Sequence, residues 1–310
     1  MMNYYKTILL LVGLALLFVI PPFLKPYYMF MVNYILIYII LAVGLNLVMG
    51  YTGQISLGNA AFFGIGAYGS ALLSIKLGIP FLICIPLGGA ISAFFGFLVA
   101  VPALRMSGLY LAMVTLGFGE LVQLIFFQWE GLTRGPDGIV IPKPKFGSFE
   151  FSNDYRVYYL ILITALFLLI IARNIIRSRT GRAFLSIRES ETAAQSLGVN
   201  LRYYKIVAFV MSAFFAGIAG ALYGAFVHYI SPDIFGVFES ISHLSMVIIG
   251  GIGTNLGPIV GAIFVIILLE VLKGLRGMQE IIYGIILVVF MIFMSKGIWG
   301  MIKERYIDSR

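Results

Sequence analysis

The sequence has 310 residues, of which 61% are hydrophobic and 11% are charged, with a formal net charge of +8. Soluble domains average about 45–50% apolar and about 25% charged residues, so a soluble globule could not bury this much apolar surface. Uncharged windows of about 17–25 residues are long enough to cross a hydrocarbon core of about 30 Å. The composition therefore predicts an all-α fold, a polytopic transmembrane helical bundle, and the basic charge is not read as a sign of nucleic-acid binding.

The apolar segments follow one another along the whole chain. The first, Ile8 to Ile20, follows Lys6 and ends at Pro21-Pro22; no small-x-small cleavage site follows, so an uncleaved span is favoured over a signal peptide. Further segments are predicted near 30–49, 55–75, 80–104, 108–128, 155–172, 204–230, 240–253, 257–272 and 279–295. Some of these are too interrupted to be simple spans.

Charge distribution predicts the orientation of the loops. Residues 173–205 carry seven Lys or Arg and two Glu, a net of +5, whereas residues 129–154 carry three basic and four acidic residues, a net of −1. By the positive-inside rule, 174–203 is a cytoplasmic coupling loop and 129–154 an external loop of a single transmembrane domain, 1–310. Both termini are then cytoplasmic, provided that 240–253 and 257–272 form either two full spans or a re-entrant pair.

Two apolar stretches are interrupted by glycine and polar residues. They are GYTGQISLGNAAFFGIGAYGSALLSIK (50–76) and, about two hundred residues later, GGIGTNLGP (250–258). Lipid cannot satisfy the backbone groups that a broken helix exposes, so such a helix must be buried in protein or line a wet cavity. Paired interruptions in two halves point to a translocation site. The residues predicted to line this pathway are Gln54, Ser56, Gly58, Asn59, Gly64, Thr254 and Asn255.

Glu120 is added to the predicted pathway because it lies about 18 Å along the 108–128 helix, near mid-membrane. An intramembrane carboxylate is a functional hypothesis by default and should face a cavity or a partner. A structural hydrogen-bond anchor is the alternative. Glu270 and Lys273 are interpreted as an interfacial pair. A row of small residues that includes Gly220 and Gly224 predicts close helix packing within one bundle, with substrate contact as the less favoured reading.

Several enzyme classes are excluded by the motifs that the sequence lacks. No Gly-Lys dipeptide occurs, so no Walker A loop is present, and no GxSxG is found. His228 and His243 lack zinc-site spacing, and the single cysteine, Cys84, excludes a cysteine-based metal site. The chain is therefore predicted to be neither an enzyme nor a metalloprotein.

The basic loop contains the segment GRAFLSIRESETAAQSLG (181–198). Its apolar residues recur at helical spacing, which predicts a short amphipathic helix that begins after Thr180-Gly181 and stops at Gly198. Such a helix could lie on the bilayer or dock in a groove of another protein, and the small Ala193-Ala194 pair favours a protein groove.

Five motifs together carry a resemblance to a known family: GYTGQISLGNAAFFGIGAYGSALL (50–73), SGLYLAMVTLGFGELVQLI (107–125), LTRGPDGI (132–139), GRAFLSIRESETAAQSLGVNLRYYKIVAFVMSAFFAGIAGALYG (181–224) and VIIGGIGTNLGPIVGA (247–262). In this order they resemble the permease family of branched-chain amino-acid ABC importers, and within it the LivM-type subunit. The sequence departs from the family pattern at Arg134, where glycine is usual.

The resemblance implies a cytoplasmic coupling helix that docks on an ATPase. Ala193, Ala194 and Gly198 match the A-A-x-x-x-G part of the loose EAA-x-x-x-G signature, whereas Thr192 occupies the glutamate position and Glu191 is displaced by one residue. The predicted coupling residues are Gly181, Arg182, Phe184, Ile187, Arg188, Glu191, Ala193, Ala194 and Gly198.

The implied partners are a homologous second permease, two ATPase subunits that hold ATP and Mg, and an external substrate-binding protein. The implied location is a bacterial or archaeal cytoplasmic (inner) membrane. Leucine, isoleucine and valine are the expected cargo, with urea, short amides or other small solutes as alternatives in the same family. A proton-coupled secondary transporter with Glu120 as the proton carrier is the rival class, and the coupling-type loop argues against it.

Overall fold

The computed structural model describes residues 18, 21–103, 106, 108–142, 145–146, 149–150, 154–275, 277–294 and 297–306. The predicted first span, apart from Phe18, and both chain ends lie outside these ranges.

Helices make up most of the described chain. In order they are α1 (Pro26–Thr52), α2 (Asn59–Leu77), α3 (Phe81–Ala103), α4 (Leu109–Gln128), α5 (Glu130–Thr133), α6 (Asp154–Arg177), α7 (Arg179–Glu189), α8 (Glu191–Ser196), α9 (Leu201–Val227), α10 (Val237–Gly250), α11 (Gly257–Leu272), α12 (Gln279–Phe293) and α13 (Gly297–Tyr306). Short 3₁₀ turns occupy Pro21–Phe23, Gly135–Asp137 and Pro232–Phe235.

Over the residues that the structure describes, seven stretches are long and apolar enough to cross a membrane, the last of which includes α12 and the start of α13. They are Pro26–Thr52, Asn59–Leu77, Phe81–Pro102, Leu109–Gln128, Tyr155–Arg177, Leu201–Val227 and Gln279–Met301. The predicted all-α polytopic bundle is therefore confirmed. The protein is a multi-pass membrane protein.

Close packing of α9 on its neighbours forms the centre of the bundle. A Cβ atom added at Gly66 would overlap the backbone of Gly217, and one added at Gly220 would overlap the carbonyl oxygen of Phe63. Backbones of α2 and α9 can approach this closely only because glycine stands at the crossing. The small-residue row predicted in α9 thus packs within the bundle.

Both glycine-rich stretches interrupt a helix, as predicted. α1 ends at Thr52, Gly53 has a φ of 72°, and residues 53–58 are non-helical before α2 begins. α10 ends at Gly250, and residues 251–256 separate it from α11. The first interruption is shorter than the predicted broken stretch, because Gly64, Gly66 and Gly69 lie inside the regular helix α2.

α10 and α11 are shorter than a membrane span. Their 14 and 16 residues correspond to about 21 and 24 Å, less than a hydrocarbon core of about 30 Å. The two helices pack against each other and are joined by the 251–256 loop. This geometry favours the re-entrant pair over two full spans.

Contacts between elements show which of them lie at each end of the bundle. At one end, called the coupling end below, α7 reaches the last turn of α1, and Gly297 at the start of α13 lies beside Gly251. At the opposite end, the Tyr27 hydroxyl donates to Glu270 Oε1 at 2.8 Å, and Glu270 pairs with Lys273 at 2.6 Å. The predicted Glu270–Lys273 pair is confirmed, and α13 lies at the same end as the basic loop.

Short strands join two loops at the end opposite the coupling end. β1 (Ile139–Val140) pairs antiparallel with β4 (Tyr229–Ile230), and β2 (Lys145–Phe146) pairs with β3 (Phe149–Glu150). The Tyr229 hydroxyl also donates to the carbonyl oxygen of Asp137 at 3.1 Å. The 129–154 loop is therefore tied to the segment that follows α9.

Candidate functional site

The second helix interruption is held against α1 by hydrogen bonds. Asn46 Nδ2 donates to the Thr254 carbonyl oxygen and Asn46 Oδ1 accepts from the Gly253 amide, both at 3.0 Å. The Tyr51 hydroxyl donates to Asn255 Oδ1 at 2.6 Å. These bonds satisfy backbone groups that lipid could not satisfy. The two predicted pathway residues of this loop, Thr254 and Asn255, therefore lie at the coupling end.

Arg188 of α7 reaches the same junction. Its Nη1 donates to the carbonyl oxygen of Gly50 at 2.6 Å, in the last turn of α1. A Cβ atom at Gly253 would collide with this guanidinium group, and one at Gly50 would lie 2.6 Å from the Gly253 amide nitrogen. Glycine at both positions lets the guanidinium lie between the two interruptions. One side chain of α7 thereby contacts the ends of both broken helices.

The first interruption, residues 53–58, packs on α4. Thr115 Oγ1 accepts a hydrogen bond from the Leu57 amide at 2.9 Å, and a Cβ atom at Gly58 would overlap the Thr115 carbonyl oxygen. Gln54 Nε2 donates to Thr52 Oγ1 at 2.8 Å, and Ser56 is buried. These predicted pathway residues are therefore enclosed by protein in this conformation.

Asn59 begins α2 and is 1% exposed, and its Nδ2 has no hydrogen-bond partner among the described residues. The next residue, Ala60, donates its amide hydrogen to Ser240 Oγ of α10 at 3.2 Å. The start of α2 is thus joined to α10, deep in the bundle.

Two predicted pathway residues lie elsewhere. A Cβ atom at Gly64 would lie 2.8 Å from the rings of Phe126 and Phe235, so Gly64 faces a packed aromatic cluster. Glu120 is exposed on α4 and is not among the residues that line the cleft beside Asn46 and Tyr51. The structure therefore does not bring Gly64 or Glu120 together with Gln54, Thr254 or Asn255.

A buried polar cluster that the sequence reasoning missed lies where α1 meets α10. The Tyr38 hydroxyl donates to Glu239 Oε1, and His243 Nε2 lies 3.1 Å from the same oxygen. The hydroxyl groups of Tyr34 and Tyr38 are 2.9 Å apart. His243 is 0% exposed, and its Nδ1 has no partner among the described residues, whereas the Glu239 side chain is 17% exposed. Tyr34, Tyr38, Glu239 and His243 are called the Glu239 cluster below.

Aromatic rings surround the Glu239 cluster. The ring of Phe63 lies 5.7 Å from His243 and 5.3 Å from Tyr223, and Tyr223 lies 6.1 Å from Tyr34. Tyr38 is twelve residues, or about 18 Å, along α1, near the middle of the bundle. The available sequence signal was the spacing Glu239-x-x-x-His243, which places a carboxylate and an imidazole on one face of a short apolar helix.

The coupling segment differs from the prediction. Instead of one helix over 181–198, α7 and α8 meet at Ser190, whose extended backbone breaks the helix and whose Oγ accepts from the Ala193 amide at 3.3 Å. α7 also begins three residues earlier than predicted, at Arg179, because Ser178 Oγ accepts from the Thr180 amide at 3.1 Å. Gly198, with a φ of 82°, ends the segment as predicted.

The apolar ridge of this segment faces inward. Phe184, Ile187 and Ala194 are each at most 2% exposed, and Phe184 packs on Tyr204 of the same chain. Three of the four residues predicted to form this ridge are therefore buried within the chain, whereas the fourth, Leu197, is 81% exposed. Gly181 is also buried, and a Cβ atom there would overlap the Ile176 carbonyl group.

The surface that α7 and α8 leave open is formed by other residues. Leu197 is 81% exposed and Leu185 is 38% exposed, and Arg182, Glu189 and Ala193 are exposed as well. Glu191 pairs with Lys205 at 2.7 Å, which joins the first turn of α8 to α9. This pair gives Glu191 a structural partner within the chain.

The chain is similar to known transport permeases over most of its length. A family model described as branched-chain amino acid transport system / permease component matches residues 27–295. The high-affinity branched-chain amino acid transport system permease protein LivM of Salmonella typhimurium is 36% identical over 294 residues, which cover 87% of this chain and 69% of that protein. LivM of Escherichia coli K12 gives the same identity and coverage. The permease LivH of Escherichia coli K12 is 27% identical to this chain, and the matched region covers 85% of this chain and 91% of LivH. No solved structure matches the chain.

Proposed function

Because the chain belongs to the permease family of branched-chain amino acid transport systems, we propose that it is the membrane-spanning subunit of an ABC importer for leucine, isoleucine and valine. The match over residues 27–295 carries this proposal. The proposed complex contains a homologous second permease, two ATPase subunits that hold ATP and Mg, and an external binding protein. It lies in a bacterial or archaeal cytoplasmic membrane, with both termini inside.

The contacts of α7 support a mechanism for coupling. ATP binding closes the ATPase pair and shifts α7 and α8, and Arg188 passes the shift to the two helix interruptions at Gly50 and Gly253. A change of state requires contacts that differ in free energy between the two states. In this mechanism the hydrogen bonds of Asn46 to the 251–256 loop are such contacts, because they join α1 to the second interruption.

The Glu239 cluster supports an assignment for the substrate pathway. A branched-chain amino acid carries an ammonium group, a carboxylate and an apolar side chain. The carboxylate of Glu239 attracts the ammonium group, and the faces of Tyr34 and Tyr223 add cation–π attraction. The N-terminal end of α10 attracts the substrate carboxylate. Gln54, Ser56 and Asn59 line the path beyond this cluster when the interruption opens.

Replacing Glu239 with glutamine is expected to lower leucine uptake about tenfold, mainly through a higher KM, because a neutral amide attracts an ammonium group less than a carboxylate does. Uptake is measured in proteoliposomes that contain the whole complex, with ATP inside. The control is Glu280→Gln, which removes an exposed carboxylate at the first turn of α12. Unchanged KM in a normally assembled Glu239→Gln complex would remove Glu239 from the pathway.

Replacing Leu197 with glutamate is expected to remove the ATPase subunits from the purified complex and to abolish ATP-driven uptake. Leu197 is the most exposed large apolar residue of the coupling segment, and a charge there opposes burial in a partner groove. Co-purification followed by mass spectrometry measures the loss. Leu77→Glu is the control, since Leu77 is 67% exposed at the opposite end of the bundle.

The same preparation tests the proposed function as a whole. The importer assignment requires that ATPase subunits purify with the wild-type chain and that vanadate stops uptake. If uptake instead resists vanadate and collapses with an uncoupler, the chain is a proton-coupled transporter. If the complex takes up urea or acetamide and leucine does not compete, the substrate assignment is wrong while the importer assignment stands.

A further inference from the structure

A cleft of about 970 Å³ opens near the coupling end; Thr254 and Asn255 of the second interruption line it, and no residue of the Glu239 cluster does. α1, α6, the 253–256 loop and the start of α13 form its walls. Its apolar lining consists of Val43, Leu166, Leu169, Ile170, Ala172, Ile176, Leu256 and Ile259, and its polar lining of Asn46, Tyr51, Arg173, Arg177, Gly253, Thr254, Asn255 and Trp299.

Two arginines set the charge of this cleft. Arg173 and Arg177 are one turn apart on α6, both are exposed, and neither makes an ion pair or hydrogen bond with any residue that the structure describes. No acidic side chain is among the described residues that line the cleft. The arginines belong to the 173–205 stretch, whose net charge is +5. The site therefore favours an anion.

The apolar part of the cleft indicates an amphiphilic ligand. From Leu166 to Arg177 the α6 wall extends about 16 Å, with apolar side chains towards mid-membrane and the two arginines at the end. A lipid acyl chain matches this wall, and a phosphate group matches two adjacent guanidinium groups. Trp299 also borders the cleft, and tryptophan is a residue type enriched where membrane proteins meet lipid head groups. A zwitterionic amino acid would leave its ammonium group beside two cations without an acidic partner.

We propose that this cleft binds an anionic phospholipid, with its phosphate on Arg173 and Arg177 and an acyl chain along the apolar wall of α6. The bound lipid touches the 253–256 loop, which Asn46 and Tyr51 hold to α1. An anionic lipid thereby stabilises the junction of the two helix interruptions. This inference does not depend on which substrate the permease carries.

Native mass spectrometry of the purified full chain tests the site after incubation with vesicles of phosphatidylglycerol and phosphatidylcholine in equal parts. The double variant Arg173→Gln/Arg177→Gln is expected to bind phosphatidylglycerol about 30-fold more weakly, from about 1 kcal/mol for each arginine. Ile170→Trp fills the cleft with both charges intact and is expected to lower retention as well. The double variant Arg179→Gln/Arg202→Gln removes two exposed charges outside the cleft and is expected to retain the lipid.

Three results would overturn the proposal. One is equal retention of phosphatidylglycerol by the wild type and the Arg173→Gln/Arg177→Gln variant. Another is equal retention of phosphatidylcholine and phosphatidylglycerol by the wild type, which would indicate lipid contact without head-group recognition. The third is displacement of the lipid by millimolar inorganic phosphate, which would indicate a site for a free anion. A thermal midpoint equal to that of the wild type verifies that each variant is folded.

Discussion

Replacing Gly220 with alanine is expected to leave little folded protein, with a loss in unfolding free energy of about 3 kcal/mol or more. The added Cβ atom would overlap the carbonyl oxygen of Phe63 and lie 2.9 Å from the Ala67 amide nitrogen. Both are backbone atoms of α2, so no side chain can rotate away. α2 and α9 would have to separate, which would also open the contact between Gly66 and Gly217. The thermal midpoint of the detergent-solubilised chain, followed by fluorescence-detected size exclusion, measures this effect.

Gly117→Ala is the matched control for this prediction. It adds the same methyl group inside the transmembrane helix α4, but no atom outside the local backbone of that helix lies within 4 Å of the new Cβ atom. Its midpoint is expected to stay the same or rise, because alanine favours a helix over glycine by about 1 kcal/mol. A Gly220→Ala protein with the wild-type midpoint would show that α2 and α9 are farther apart than described.

The sequence predicted the helices well because the membrane imposes their length and apolar composition. It also predicted both interruptions, since glycine and polar residues at membrane depth are rare without a reason. It could not separate the glycines that break a helix from those that pack it. Residues 53–58 leave the helix, whereas Gly64 and Gly66 stay in α2 and face other elements. Whether a glycine breaks a helix or allows close packing depends on the element that packs against it.

Functional positions were harder to predict because their partners are distant in sequence. Tyr38 and Glu239 are 201 residues apart, and no sequence pattern indicates that the two side chains are in contact. Periodicity correctly marked Phe184 and Ile187 as one apolar face of a helix. It could not say whether that face packs on the same chain or on a partner, and the structure shows the same chain. Glu120 was selected by its depth, yet depth alone does not say which way a side chain points.

Arg188 is the residue at which the predicted coupling segment and the predicted interruptions meet. Its guanidinium donates to the Gly50 carbonyl oxygen at 2.6 Å, in a last helical turn where carbonyl groups lack intrahelical partners. The same group lies beside Gly253, whose amide is held by Asn46. One cation thus stabilises the ends of two broken helices, and it is carried by a helix whose other surface is open to a partner. The exposed surface of α7 is therefore connected to both interruptions directly through Arg188, with no other helix between them.

Replacing Arg188 with glutamine is expected to lower ATP-driven leucine uptake on the order of 100-fold while the ATPase subunits still co-purify. A hydrogen bond from a charged donor contributes about 1.5–3 kcal/mol, which corresponds to about 10- to 150-fold in an equilibrium. ATP hydrolysis is expected to continue, because the exposed surface around Leu197, where we propose that the ATPase docks, is unchanged. Arg179→Gln, on the exposed start of α7, is the control and should transport normally. If Arg188→Gln transported as well as Arg179→Gln, or lost its ATPase subunits, Arg188 would not be the link between α7 and the broken helices. A residue in that role is required for transport but not for assembly of the complex.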